Sequence, residues 1–232
     1  TNYNDAHIGI KAVQLLTALD YAVVIPVHEE SGRTWLSKGL VRKAKMIANK
    51  NIELLSGLVT AESPLIGIEP SAILTFRDEY PDLASDANLM AAHHLSANSF
   101  YIDEFLAKEM SAGNITKDRF TTNNKSLLLH GHCQQKAISS LSDSVAVLSF
   151  PENYKVETIP SGCCGMAGSF GYEKEHYDVS MQIGELVLFP KVRSSAGGCT
   201  VSAPGTSCRH QIKDGTGEKA LHPVEVLYDA LV

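Results

Sequence analysis

Short apolar runs alternate with amphipathic stretches along this chain, and that alternation restricts it to few folds. Residues 21–27 (YAVVIPV) are brief and mostly apolar, as expected of a strand buried on both faces, 65–68 is another short apolar run, and 126–130 (SLLLH), 154–159 and 200–203 read as further strands. Between them run helical patterns. Residues 8–19 form one, and Leu36, Leu40, Ala44, Ile47, Ala48, Ile52 and Leu55 recur at steps of three and four. A turn over 73–76 ends at Pro81, and 89–110 reads as one long helix finishing near Gly113. In the second half the helical stretches are 137–148, 172–189 up to Pro190, 207–213 and 223–231, the last opened by Pro223. Strands alternating with helices predict parallel βαβ units and an α/β fold.

The pattern occurs twice. Glu30-Ser31-Gly32-Arg33 and Cys163-Cys164-Gly165-Met166 each follow a predicted strand and precede a helix. Pro70-Ser71-Ala72-Ile73 and Thr206-Ser207-Cys208-Arg209 do the same further on, and the spacing from Ser31 to Ala72 nearly equals that from Cys164 to Cys208. The expected organisation is two similar parallel-sheet α/β units related by pseudo-twofold symmetry. They span residues 1–113 and 126–232, joined by an Asn/Thr-rich linker, 114–125, without apolar period.

Composition narrows the function classes. A net charge of −6 over 232 residues gives no basic field, which argues against nucleic acid or an anionic membrane surface as partner. No apolar run is long enough to span a bilayer. The first residues carry neither the basic nor the apolar stretch of a signal peptide, and the chain does not open with Met, which reads as a processed form or a piece of something longer. All five cysteines, Cys133, Cys163, Cys164, Cys199 and Cys208, fall in the second half, and an odd count in an acidic chain fits a reducing, cytoplasmic setting better than a disulfide framework.

Cys133, the Cys163-Cys164 pair and Cys208 each follow a predicted strand and precede a predicted helix. In a parallel sheet such junctions share the carboxyl edge, so distant cysteines converge there, near helix N-termini that favour thiolate. Four thiolates at one edge suit a metal or iron–sulfur centre. Cys199 precedes an apolar strand and reads as a plain buried thiol. His130, His132 and His210 flank the cysteine loops as alternative ligands or neighbours of the centre. His93 and His94 read as structural, and His222 as a helix cap. The glycine-rich GMAGSFG run lacks the Gly-Lys-Ser/Thr ending of a phosphate loop, and no G-x-S-x-G elbow is present.

The segments LLLHGHCQQKA, SGCCGMAGSFGYEKEHYDVSMQIGEL and SAPGTSCRHQIKDGTGEKALHPVEVL closely resemble the cysteine-rich CCG domain. That family includes the cysteine-rich component of heterodisulfide reductase and the iron–sulfur components of glycolate oxidase and anaerobic glycerol-3-phosphate dehydrogenase. The C-terminal region of fused FAD-linked oxidases, of the 2-hydroxy-acid or D-lactate dehydrogenase type, is the nearest look-alike. NYNDAHIGIKAVQLL, SGRTWLSKGL and GIEPSAILTFRDEYPDL look like a first CCG unit, so the resemblance covers nearly the whole chain. It implies an electron-transfer module acting with a flavin-containing dehydrogenase domain or subunit and a ferredoxin-type iron–sulfur domain. FAD then belongs to the partner only, and the place is the cytoplasm or, through partners, the periphery of the inner membrane. By carry-over, Cys133, Cys163, Cys164 and Cys208 match the cluster-binding cysteines, with a [4Fe–4S] cluster as the expected cofactor.

Two departures bear on this. Gly205 stands where the family's closing CxxC has its first cysteine, so one thiolate is missing. In the first unit Glu30-Ser31 replace the cysteine pair and Ala72 ends the EPSC-like segment, so that unit is expected to bind no cluster and to serve as scaffold or docking surface. The rival expectation is a non-redox docking module with a structural zinc at the cysteine edge, since zinc accepts mixed sulfur and nitrogen ligands. Thiol chemistry at Cys163-Cys164 is a third. The chain alone shows no flavin or dinucleotide site and is not expected to oxidise substrate unaided.

Overall fold

The structure is a computed structural model and describes residues 4–195 and 197–232. The chain forms two compact units: Val24–Phe105, and the residues up to Val23 together with Leu106–Val232. Each contains a small parallel sheet flanked by helices, the α/β arrangement predicted from the alternating pattern.

In the Val24–Phe105 unit, strands β1 (Leu65–Gly67) and β2 (Ser99–Tyr101) pair in parallel, Ile66 opposite Phe100. The helices α2 (Arg33–Ser37), α3 (Val41–Leu55), α4 (Pro70–Arg77), α5 (Glu79–Leu83) and α6 (Leu89–Ala97) pack around them. The apolar stripe of α3 is buried through Ala44, Ala48, Ile52 and Leu55, as its three-four spacing requires. Helix α7 (Ile102–Ser111) leads out of this unit.

The other unit opens with α1 (Ala6–Ala18) and is built on three parallel strands in the order β4-β3-β5. These are β3 (Lys125–Leu129), β4 (Tyr154–Thr158) and β5 (Thr200–Ser202), with Leu129 opposite both Thr158 and Ser202. Central β3 buries Leu127, Leu128 and Leu129, and the core continues through Ile159, Val201, Leu188, Phe189, Val192 and Ile212. The helices are α8 (Cys133–Ile138), α9 (Ser142–Leu148), α10 (Tyr177–Leu186), α11 (Leu188–Ser194), α12 (Thr206–Thr216) and α13 (Pro223–Tyr228). Residues 114–125 hold a short 3-10 turn, and within them Ile115 and Phe120 are buried.

Several sequence expectations give way. Residues 21–27 form no strand: Val24, Ile25 and Val27 are 80%, 76% and 82% exposed. Pro26 removes a ladder donor in the middle of that run. The predicted helix over 36–55 is broken at Gly39, which adopts φ +71°. The long helix over 89–110 is interrupted by β2. The stretch 137–148 divides into α8 and α9, and 172–189 into α10 and α11. Pro81 and Pro190 stand inside the first turns of α5 and α11, where the missing N–H has no intrahelical partner to lose, so neither stops a helix. His222 caps α13 as expected: its Nδ1 accepts from Val224 N at 3.0 Å, and Glu225 Oε2 accepts from His222 N at 2.9 Å.

Candidate metal centre

Because β3, β4 and β5 are parallel, the loops leaving their carboxyl ends emerge on one edge. The first carries His130, His132 and Cys133, the second Cys163 and Cys164, the third Gly205 and Cys208. All four cysteines meet there in a chain of contacts, Cys133 to Cys163, Cys163 to Cys164 and Cys164 to Cys208, and all are free thiols. A ring nitrogen of His130 and the sulfurs of Cys164 and Cys208 lie within 4.8 Å of one another, and all three residues are buried.

The loops are held by side chains that reach backbone carbonyls. Lys136 Nζ donates to Ser161 O (2.7 Å) and Gly162 O (2.5 Å), tying the second loop to α8. Arg209 Nη1 donates to Ala203 O (3.0 Å) and Pro204 O (2.6 Å), shaping the third. Its Nη2 meets Asp5 Oδ2 at 2.7 Å, and Thr206 Oγ1 donates to the same carboxylate. Burial alone pushes the Asp5 carboxyl up, but the Thr206 hydroxyl and the Arg209 guanidinium hold it below the usual carboxylate range.

The helix N-termini serve only part of the expected role. Cys133 opens α8 and Cys208 lies in the first turn of α12. The Cys163-Cys164 pair instead enters an irregular loop, and the next α-helix, α10, begins only at Tyr177. Backbone amides take the helix's place: Gly165 N donates to Cys163 Sγ at 3.3 Å. Gly165 holds φ +105°, and a Cβ there would lie 2.2 Å from Ser180 O, so only glycine fits this turn.

Proton affinity alternates along the row. Hydrogen bonds from the Cys133 and Cys164 thiols, aided by the Gly165 and Ala167 amides, hold Cys163 well below the usual thiol range against its burial. The hydrogen bond to Cys163, burial and then the Cys163 charge push Cys133 up. Cys164 is pushed up by its bonds to Cys163 and Cys208 and by burial. Cys208 is held low by the Cys164 thiol and, against burial, by His130 and His132. Shifts of opposite direction thus alternate along the row. Soft sulfur donors gathered this way are the set that thiophilic metals select.

The three flanking histidines separate. His130 Nδ1 bonds Ser161 Oγ at 2.8 Å, and its Nε2 is buried without a hydrogen-bond partner among the described residues. His132 Nδ1 accepts from Gln134 N at 3.1 Å, and its ring lies beside Gly205: a Cβ at that position would stand 2.3 Å from His132 Cδ2. His210 is exposed, with Nδ1 2.6 Å from Tyr172 Oη, and is not in the group that lies against the thiols. Cys199, half-buried, packs against the core with Sγ 3.7 Å from Ser195 O. Sequence reasoning missed Lys136, Arg209 and Asp5, which arrange the loops. Arg209, next to Cys208, carried the only local hint, a charge in an otherwise buried stretch.

In the Val24–Phe105 unit the segment expected to match the cysteine pair, Glu30-Ser31, is engaged by protein groups. Asn51 is buried, accepts from Glu29 N (2.8 Å), and donates to Glu30 O (2.8 Å) and Tyr80 Oη (2.9 Å). Glu69 caps α4, accepting from Ser71 Oγ at 2.9 Å.

No family model matches the chain, and no solved structure matches it. Curated relatives do. The chain is 28% identical over 233 residues to D-2-hydroxyglutarate dehydrogenase of Escherichia coli strain K12, covering all of this chain and 22% of that protein. It is 26% identical over 232 residues to one of the subunits of anaerobic glycerol-3-phosphate dehydrogenase of the same strain, covering 99% of this chain and 57% of that relative. A D-2-hydroxyglutarate dehydrogenase of Pseudomonas putida is 25% identical over 228 residues. The chain therefore spans about a fifth of the length of the D-2-hydroxyglutarate dehydrogenases it matches, and is related to parts of bacterial dehydrogenases. No helix among the described residues is long and apolar enough to cross a membrane.

Proposed function

We propose that this chain is the electron-transfer module of a flavin-linked dehydrogenase of 2-hydroxy acids, with one iron–sulfur centre held by Cys133, Cys163, Cys164 and Cys208. The observation that carries the reading is the convergence of four thiols from three strand ends onto one edge, Cys164 and Cys208 buried and Cys133 exposed, with a ring nitrogen of buried His130 within 4.8 Å of the Cys164 and Cys208 sulfurs. That donor set fits the group: four soft sulfurs with a nitrogen beside two of them. When bound, such a cluster supplies a carrier of single electrons. The chain's own part is to hold the thiolates still. Lys136 and Arg209 fix the loops that bear them, and the burial of Cys164 and Cys208 keeps water from these sulfurs.

The relatives supply the setting. Both relatives are dehydrogenases, and D-2-hydroxyglutarate is a 2-hydroxy acid. In this reading flavin and ferredoxin-type centres lie in other domains or subunits, and the module works in the cytoplasm or at the inner membrane's edge through its partners. The isolated chain does not oxidise substrate. The Val24–Phe105 unit, with Glu30, Ser31 and Ala72 at the equivalent positions, serves as scaffold.

A second reading has one observation in its favour: a nitrogen beside two sulfurs is also a zinc-type donor set. One measurement separates the two. Protein purified without oxygen is assayed for iron, sulfide and zinc and its visible spectrum taken. About four irons and four sulfides per chain, with broad absorption lost in Cys163→Ser or Cys164→Ser, is the expected result for a [4Fe–4S] centre. About one zinc and no colour would replace it with a structural docking module.

A further inference from the structure

Among the described residues, His130 is the one histidine whose ring nitrogen joins two of the thiols in a compact buried group. It is 1% exposed at the end of β3. Ser161 occupies its Nδ1 at 2.8 Å, while Nε2 is buried without a hydrogen-bond partner among the described residues. A buried polar nitrogen left unpaired is costly. The same ring has a nitrogen within 4.8 Å of the sulfurs of Cys164 and Cys208, and Ser161 claims the other one. A metal-bound histidine generally donates its second ring N–H to a fixed acceptor, which sets tautomer and ring orientation. Ser161 Oγ is that acceptor here, and it lies in the loop that carries Cys163 and Cys164.

The neighbouring histidines do not compete. His132 Nδ1 already accepts from Gln134 N, so in the neutral ring the proton sits on Nε2, which then has no lone pair to give. That ring fills the space next to Gly205. His210 is turned to solvent and Tyr172.

We infer that His130 is a direct ligand of the centre, giving Nε2 to the same metal group that Cys164 and Cys208 hold, with Ser161 as the positioning residue that fixes its tautomer. The inference rests on the iron–sulfur reading above. It makes the site a mixed sulfur–nitrogen one: a cubane cluster takes one terminal ligand per iron, so His130 takes the place of one of the four thiolates, and exchanging thiolate for imidazole at an iron raises its potential.

The test uses the whole chain, reconstituted with iron and sulfide without oxygen, with histidine carrying the heavy nitrogen isotope. Pulsed electron paramagnetic resonance of the reduced centre then reads nitrogen bound directly to iron. The expected result is a strong coupling that changes with the isotope, is lost in His130→Asn and persists in His132→Asn. Asparagine at 130 keeps a group near Ser161 but cannot reach the metal. If that variant fails to fold, the wild-type coupling decides, and Ser161→Ala is expected to shift it. Bound iron and sulfide with no coupled histidine nitrogen in the wild type, or a coupling that survives His130→Asn, overturns this inference and leaves the iron–sulfur reading standing. A wild-type chain that takes up no iron and sulfide overturns that reading, and this inference with it.

Discussion

Two residues beside the thiols show what one atom does on a packed edge. Gly205 occupies a position where any side chain meets His132 Cδ2 at 2.3 Å and Cys208 Sγ at 3.3 Å. Gly205→Ala is therefore expected to cost about 1–3 kcal/mol from overpacking. His132→Ala opens the space, so the double variant should recover a large part of that cost, a coupling of about 1 kcal/mol or more in a denaturation cycle. Additive losses would show that the ring does not fill this gap. From sequence, Gly205 was legible only as a missing cysteine. That an imidazole from another loop occupies its neighbourhood depends on the sheet bringing the loops together, which no local pattern encodes. Asp5 makes a similar point about charge. It is separated from Arg209 by most of the chain and bonds it at 2.7 Å, with both residues buried. Removing one partner of such a pair costs about 3 kcal/mol. The Asp5 carboxyl is held below its ordinary value of 3.8. A carboxyl depressed on folding adds stability above its unfolded pKa, and that contribution is lost as pH falls through the lower folded value. Asp5→Asn should thus be least like wild type at neutral pH, and the two should converge in acid. A gap that stays constant down to acid pH would remove the ion pair as its cause.

Elements were legible where a short apolar run met a turn residue at each end, and illegible where distant contacts made them. β3, β4 and β5 were read close to their observed limits because each is brief and followed by glycine or proline punctuation. β2 was hidden inside the helical period of 89–110. What draws Ser99–Tyr101 out of a helix is Arg77, at the end of α4. Its Nη2 donates to Ser99 O at 2.8 Å, and both its Nη atoms reach Glu104, at 2.8 and 2.6 Å. Glu104 Oε2 in turn accepts from Tyr101 N at 2.8 Å. One fork therefore satisfies the strand's exit and anchors α7. Residues 21–27 err the other way: their composition is that of a strand, yet no partner strand lies alongside, and three apolar side chains face solvent. Glu104→Ala should cost about 2–3 kcal/mol, because it strands a half-buried guanidinium and a strand amide together. Urea denaturation measures it, and a loss under about 0.5 kcal/mol, the usual size of a surface change, would mean that α4 and β2 are held by packing alone.

For the molecule as a whole, the cysteine donors gather at the strand ends of one of its two units. In the unit that holds β3, β4 and β5, the cysteine loops gather soft donors with few competing hydrogen bonds. In the Val24–Phe105 unit the equivalent backbone is consumed by Asn51 and Tyr80, and the carboxylates cap and pair: Glu69 with Ser71, Glu79 with Arg33. If the centre forms only in the first of these units, metal binding and folding are linked through that unit alone. A group that binds the folded chain and not the unfolded one stabilises it by about 2.7 kcal/mol when its free concentration is a hundredfold above the dissociation constant. The loaded chain should accordingly unfold at a higher temperature than the same chain stripped by a chelator. Cys164→Ser should abolish that difference, because it removes a buried sulfur from the middle of the row. Glu30→Ala and Ser31→Ala should leave both the difference and the metal content unchanged. Were the Glu30 or Ser31 variant to lose metal, or a second equivalent to appear in the wild type, the Val24–Phe105 unit would have to be a binding site in its own right. Its carboxylates would then have to leave the partners they now hold.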